Sequence, residues 1–164
     1  MLPRVLKNFA VFADGRGYAG RCDEVELPKL ALKTDELRAG GMDAPVELDM
    51  GMEKLEAKLT FAEYDEAALG LFGKPNTYYT LRGAVQRQGD AAQPVILRLF
   101  GTAKEVDSGN WKAGERGSMA FMIAITKLTY EVNSVPIVVI DVENMIRIVN
   151  GVDQLATQRA ALGI

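Results

Sequence analysis

Side chains that alternate between apolar and polar over two adjoining segments leave a chain little choice of local structure. Val46, Leu48 and Met50 alternate with Glu47 and Asp49, and Leu55, Ala57, Leu59 and Phe61 alternate with Glu56, Lys58 and Thr60. A repeat of two puts one set on each side of an extended backbone, so both segments read as half-buried strands. The pattern recurs along the chain. Residues 4–13 and 18–22 read as strands joined at Asp14-Gly15, a pair that supplies the positive φ of a tight hairpin. Tyr78 to Gln88 and Pro94 to Val106 form a second hairpin about the polar turn between them.

Two breaks in the alternation predict bends. Met119, Phe121, Ile123 and Ile125 are apolar at odd positions, whereas Leu128, Tyr130 and Val132 take over at even ones. One extra residue near Thr126, a β-bulge, accounts for the phase change and would curve a long strand. The same argument from Val25 and Leu27 to Leu30 and Leu32 places a bulge or sharp bend near Pro28. Val135 to Ile140 and Glu143 to Val149 add further strands after the Asn133-Ser134 turn.

Helix signals are few. Tyr64 to Gly73 has acids in front, an apolar body and a Gly73, Pro75 stop, and Val152 to Leu162 suits a short C-terminal helix. The expected fold is therefore mainly β: an antiparallel sandwich or barrel-like sheet with one central α-helix and a short C-terminal one. With 164 residues, it should form a single domain over residues 1–164.

Composition narrows the function. Nineteen basic and 22 acidic side chains give a formal net charge of −3, which argues against a protein that holds nucleic acid by neutralising phosphates. No apolar run is long enough to cross a bilayer as a helix, and the N-terminal stretch lacks a small-residue cleavage site. The chain has no histidine and one cysteine, Cys22. That removes Ser-His-Asp and Cys-His pairs and the common zinc sites, and leaves Cys22 as a small buried or half-buried side chain. Neither catalytic residues nor a cofactor is expected.

The stretch RAGGMDAPVELDMGME, residues 38–53, admits three readings. A phosphate cradle needs more glycine spacing, a lysine and a helix start, none of which accompanies Gly40 and Gly41. Asp43, Glu47, Asp49 and Glu53 offer oxygen ligands to a metal ion, yet Glu47 and Asp49 share what any solvated strand face looks like. Met42, Met50 and Met52 favour the third reading, an adaptable apolar arm, buried either against its own sheet or against another chain. Trp111, alone of its kind in a polar turn-rich stretch, poses the same choice between covering its own loop and anchoring an interface.

Three long runs carry a resemblance. LPKLALKTDELRAGGMDAPVELDMGMEKLEAK, LFGTAKEVDSGNWKAGE and IRIVNGVDQLATQRAALGI are similar, in order and spacing, to the major tail tube proteins of contractile-tailed bacteriophages and the tube proteins of R-type pyocins. The similarity runs from about Leu2 to Ile164. It implies a structural subunit and no enzyme: six-subunit rings whose strands join into a β-barrel around a channel, stacked into an inner tube.

By that resemblance the partners are other copies of the chain, the sheath protein, a baseplate or tube initiator and a tail terminator. DNA or effectors would pass without specific binding. Assembly would take place in the bacterial cytoplasm. Contact candidates are Leu2, Arg38, Gly40, Gly41, Met42, Asp43, Met50, Met52, Trp111, Leu162 and Ile164, on the 38–53 arm and both termini. Glu63, Asp65 and Glu66 are candidates for an acidic patch facing the sheath. A ring protein of a type VI secretion system and a monomeric ligand-binding β-barrel are the competing readings.

Overall fold

Alternation is realised as one extended antiparallel sheet with a small projecting hairpin. The computed structural model describes residues 1–164. In chain order the elements are β1 (Val5–Ala13), β2 (Arg16–Gly17), β3 (Cys22–Glu26), β4 (Leu32–Leu37), β5 (Val46–Met52), β6 (Leu55–Phe61), α1 (Glu66–Leu69) and β7 (Thr77–Gln86). There follow β8 (Gln93–Asp107), β9 (Met119–Val132), β10 (Val135–Asp141), β11 (Ile146–Val149), β12 (Val152–Asp153) and α2 (Ala156–Leu162).

The main sheet has the order β12-β11-β10-β9-β8-β7-β1-β2, and β6 joins it through β9 while carrying β3 on its other side. Strand β9 is the junction. Its first half, Met119 to Ile125, pairs with β6, and its second half, Lys127 to Val132, pairs with β10. Strand β8 runs beside both halves. The two branches thus face each other across one apolar core, in which Leu55, Ala57, Leu59 and Phe61 of β6 meet residues such as Val11, Leu81 and Leu99.

The bulge expected at Thr126 is present. Phe100 pairs with Lys127 and Gly101 with Ile125, so Thr126 has no partner on β8. Its hydroxyl donates to the Phe100 carbonyl at 3.3 Å, and its own carbonyl accepts from the Val142 amide at 3.0 Å. The Phe100 and Thr126 carbonyls are therefore both satisfied at the bulge. Gly101 sits where the strands come closest: a Cβ there would lie 1.9 Å from the Ala124 carbonyl oxygen.

Strand β6 shows strict alternation of buried and half-buried residues. Around it, Phe61 touches Tyr18 with ring centroids 5.0 Å apart and meets Phe121 edge-on at 5.3 Å. Each large side chain fully buried in this way contributes about 1.5–3 kcal/mol.

Four expectations are corrected. Residues 18–22 do not form one strand: only Arg16–Gly17 pairs back on β1, and the Tyr18 to Arg21 turn then carries the chain across to β6. At Pro28, where a bulge or sharp bend was expected, there is neither: β3 has already ended at Glu26 and the chain is irregular until Leu32. The central helix is a single turn, since Gly70 caps it and the Gly73 amide bonds instead to Ala103. The tail begins as β12 and becomes helical only at Ala156.

Gly101→Ala forces the Ala124 carbonyl to move at the junction of the two branches. An unfolding free energy lower by about 3 kcal/mol is expected from urea denaturation.

Candidate assembly surfaces

Strands β4 and β5 form a two-stranded sheet of their own, so the oily stretch is an ordered hairpin rather than a loose loop. Pairing of Leu37 with Val46 and of Asp35 with Leu48 puts these four on one face; Glu36 with Glu47 and Thr34 with Asp49 occupy the other. The reading of Val46, Leu48 and Met50 as a half-buried face is overturned, because all three are exposed and nothing in the chain covers them. Leu32 and Leu37 of β4 are exposed as well.

The hairpin is fixed at its base. The Glu53 amide donates to the Ala31 carbonyl at 2.9 Å, and Met52 packs against the core. Arg147, itself buried, reaches the Asp49 carboxylate at 3.3 Å. Met52 therefore serves its own chain, unlike Met50. At the tip, Arg38, Gly40, Gly41 and Asp43 are exposed, while Met42 turns back so that its sulfur accepts from the Ala39 amide at 3.3 Å. Gly41 has φ 88°, a conformation that favours glycine. Asp43, Glu47, Asp49 and Glu53 form no cluster of three that would hold a metal ion.

Trp111 is 88% exposed and meets the Tyr64 ring edge-on at 6.1 Å. The Tyr64 hydroxyl donates to the Ser108 carbonyl at 2.7 Å, and Gly117 leaves room for the ring, since a Cβ there would sit 2.5 Å from Cε2. At the ends of the chain Leu2, Leu162 and Ile164 are exposed. The Leu2 carbonyl accepts from Arg87 Nε at 2.9 Å. Arg159 pairs with Asp153 and donates to the Met145 carbonyl at 2.7 Å, which fastens α2 beside β11.

The acidic patch loses a member. Asp65 is 9% exposed and caps α1: its carboxylate accepts from the Ala68 amide at 3.0 Å and lies 3.1 Å from Arg21 and 3.6 Å from Arg16. Burial pushes this carboxyl up, but the Ala68 amide, the Arg16 charge, the Ala67 amide and Arg21 outweigh it and hold it below its ordinary value. Glu63 is exposed yet paired with Arg21 at 3.2 Å, which leaves Glu66 as the free acid of the group. Cys22 is half-buried and donates to the carbonyls of Thr60 and Glu24; burial pushes its thiol up to about 11, so it stays protonated and unreactive.

Sequence reasoning missed Arg147, whose role depends on a residue 98 positions away. It also did not say which strand edges stay open: β1 meets β2 only at Phe12 and Ala13, and β3 has β6 as its one partner.

The fold is that of tube and cap subunits from contractile injection systems. The anti-feeding prophage tube-terminating cap superposes with a TM-score of 0.64 at 10% identity, over 80% of this chain and 93% of that one. A chain of the sheath-tube complex of an extracellular contractile injection system, in the extended state, gives 0.62 at 9%, over 79% and 92%. In sequence, residues 3–163 match the phage tail tube protein FII family. The tail tube protein of Escherichia phage P2 is 32% identical over 99% of both chains, and the major tail tube protein of Serratia phage KSP20 is 26% identical over 88% of this chain and 86% of its own. The chain belongs to the phage tail tube protein family, and is a structural subunit rather than an enzyme.

Because the folded state lowers the Asp65 pKa, its stabilisation is complete above the ordinary carboxylate value of about 4 and is lost as pH falls through the lowered value. Asp65→Ala should lower the unfolding free energy at pH 7 by about 2 kcal/mol. Asp65→Asn, which keeps a capping oxygen and loses the charge, should differ from the parent at pH 7 and converge with it at the acid end. Urea titrations from pH 2.5 to 7, a range set by these carboxylate values, would check both.

Proposed function

We propose that this chain is the repeating unit of the inner tube of a contractile tail, closing into six-membered rings that stack around a channel. The whole chain acts as one tube domain, and the 38–53 arm and both termini reach neighbouring copies in the ring or in the next one. The observation that carries this reading is the bare β4–β5 hairpin, whose Leu37, Val46, Leu48 and Met50 are exposed in the single chain. Apolar faces of this kind mark contact sites, and repeated head-to-tail contacts generate rings when they close.

Open edges on β1 and β3 support the same reading, since pairing between copies removes an edge that otherwise invites aggregation. Every copy adds a formal charge of −3, which suits a channel that lets DNA pass without gripping it. Glu63 and Glu66, without Asp65, offer the sheath an acidic spot. The baseplate or tube initiator and the tail terminator are the partners that start and end growth. Assembly in the host cytoplasm precedes incorporation into the virion tail.

Electron microscopy of the purified protein over a concentration series should show hollow rings or tubes, with solution mass rising above the 17.9 kDa monomer. Deleting Gly40 to Ala44 should abolish them; tubes that form regardless would remove the arm from the assembly. Leu48→Ser should raise the concentration needed for assembly about tenfold while leaving monomer unfolding within about 0.5 kcal/mol, because that side chain is exposed in the single chain. Reversing the charge of Glu63 and Glu66 should weaken attachment of the sheath in a co-sedimentation assay and leave the tube intact.

A further inference from the structure

Six residues other than glycine take positive φ, and one of them is out of character. Asp14, Asn76, Asn133, Ser134 and Asn150 have short polar side chains that bond to nearby backbone, which eases the left-handed conformation. The sixth is Met145, at φ 51°. Its thioether offers the backbone no such help, and a conformation of this kind persists only where its surroundings hold it.

The hold comes from the C-terminal tail. Met145 closes the turn between β10 and β11, and its amide reaches the Val142 carbonyl only at 3.5 Å. Its carbonyl accepts from Arg159 Nη1 of α2 at 2.7 Å. The same guanidinium grips the Asp153 carboxylate with both terminal nitrogens, a fork that fixes its plane. Asp153 also accepts from the Leu155 amide at 3.1 Å, and the Gln154 amide donates to the Arg147 carbonyl at 2.8 Å. The tail therefore ties β11 at Met145 and again at Arg147.

Arg147 leads on to the arm. Strand β11 pairs with β10 over Ile146–Val149 and with β12 only at Ile148 and Val149, so it lies near the margin of the sheet. From it the buried Arg147 side chain reaches Asp49 of β5 at 3.3 Å. Between α2 and the hairpin root lies an open cleft of about 430 Å³, with Met52, Met145, Arg147, Leu155 and Gln158 among its walls. Close packing does not fill that gap; the polar chain Arg159, Met145, Arg147, Asp49 spans it.

We propose that α2 is a latch for the arm: by holding Met145 in its left-handed turn, Arg159 fixes Arg147 and through it the direction of the β4–β5 hairpin. Tail and arm then respond as one unit, and a group that draws Arg159 away from Met145 loosens a hairpin to which it has no contact. This coupling lies within a single chain and holds whether or not copies associate.

Hydrogen exchange of the full chain, kept monomeric by dilution, reads the coupling. Arg159→Ala should speed exchange of the β4–β5 amides about tenfold and leave those of β8 and β9 unchanged. Glycine takes positive φ without cost, so in a Met145→Gly background the same substitution should change β4–β5 exchange by less than about twofold. Asp49→Asn keeps the oxygen that accepts from the Gly51 amide and removes the charge facing Arg147. It should speed the same amides, and adding Arg159→Ala should add less than about twofold, because both act on one chain of contacts. Should Arg159→Ala fail to fold, Arg159→Lys, which keeps the charge but lacks the fork, should give a smaller acceleration of β4–β5. Faster exchange confined to α2 would overturn the latch, and so would an equal effect of Arg159→Ala with and without Met145→Gly.

Discussion

Strand β9 is one continuous stretch with two different neighbours, and the bulge at Thr126 allows it to have both. A straight strand would keep the same partner along its length, and the sheet would stay open and flat. By leaving Thr126 out of the ladder, the chain turns the Met119 to Ile125 half toward β6 and the rest toward β10. Strand β8 follows the bend only because residue 101 is glycine, with Ala124 O in the place of a Cβ. The second irregularity, at Lys104 between Ala103 and Glu105, bends the same strand further along. The core depends on this geometry, since the residues of β6 reach those of β7 and β8 only when the branches face each other.

The β4–β5 hairpin obeys different physics. A two-stranded sheet without a packed face is marginal in water, and here one face is bare leucine, valine and methionine. Its direction is set by a backbone hydrogen bond at Glu53, the packing of Met52 and the Arg147–Asp49 pair. A half-exposed ion pair of this sort is worth up to about 1 kcal/mol. The arm thus has a defined root and a weakly held body. Such a division suits an element whose final fit is made against a partner, because methionine and leucine side chains adjust where a rigid arm would clash.

How much of this was legible depended on whether the signal was local. The bulge at Thr126, the hairpin turn at Asp14-Gly15 and the turn at Asn133-Ser134 follow from alternation and from backbone chemistry within a few residues. Asn133 and Ser134 both take positive φ, 50° and 65°, as a tight hairpin demands. Misreadings arose where a distant partner decides. Alternation in Val46 to Met50 identifies an apolar face but says nothing about what covers it. Acids ahead of α1 identify a helix start, yet Asp65 is withdrawn from the surface by Arg16 and Arg21, which arrive from the first hairpin region. Near Pro28 the strand had already ended, at Glu26, where a bulge would have continued it.

The solved tube and cap proteins share the fold at 9–10% identity, which locates what the sequence must preserve. Register in a sheet is set by the inside-outside alternation, and a slip of one residue would expose the entire core face. Many side chains of suitable size satisfy that rule, so the core-facing residues can change freely as long as volume and phase are kept. Exposed positions answer to a different constraint. Leu37, Val46, Leu48 and the carboxylates around them contribute little to the stability of one chain, so folding alone gives no reason to keep them apolar on one face and acidic on the other. Their arrangement is therefore the part of this sequence that bears on what the subunit meets, and the frame built around Thr126 is what presents it.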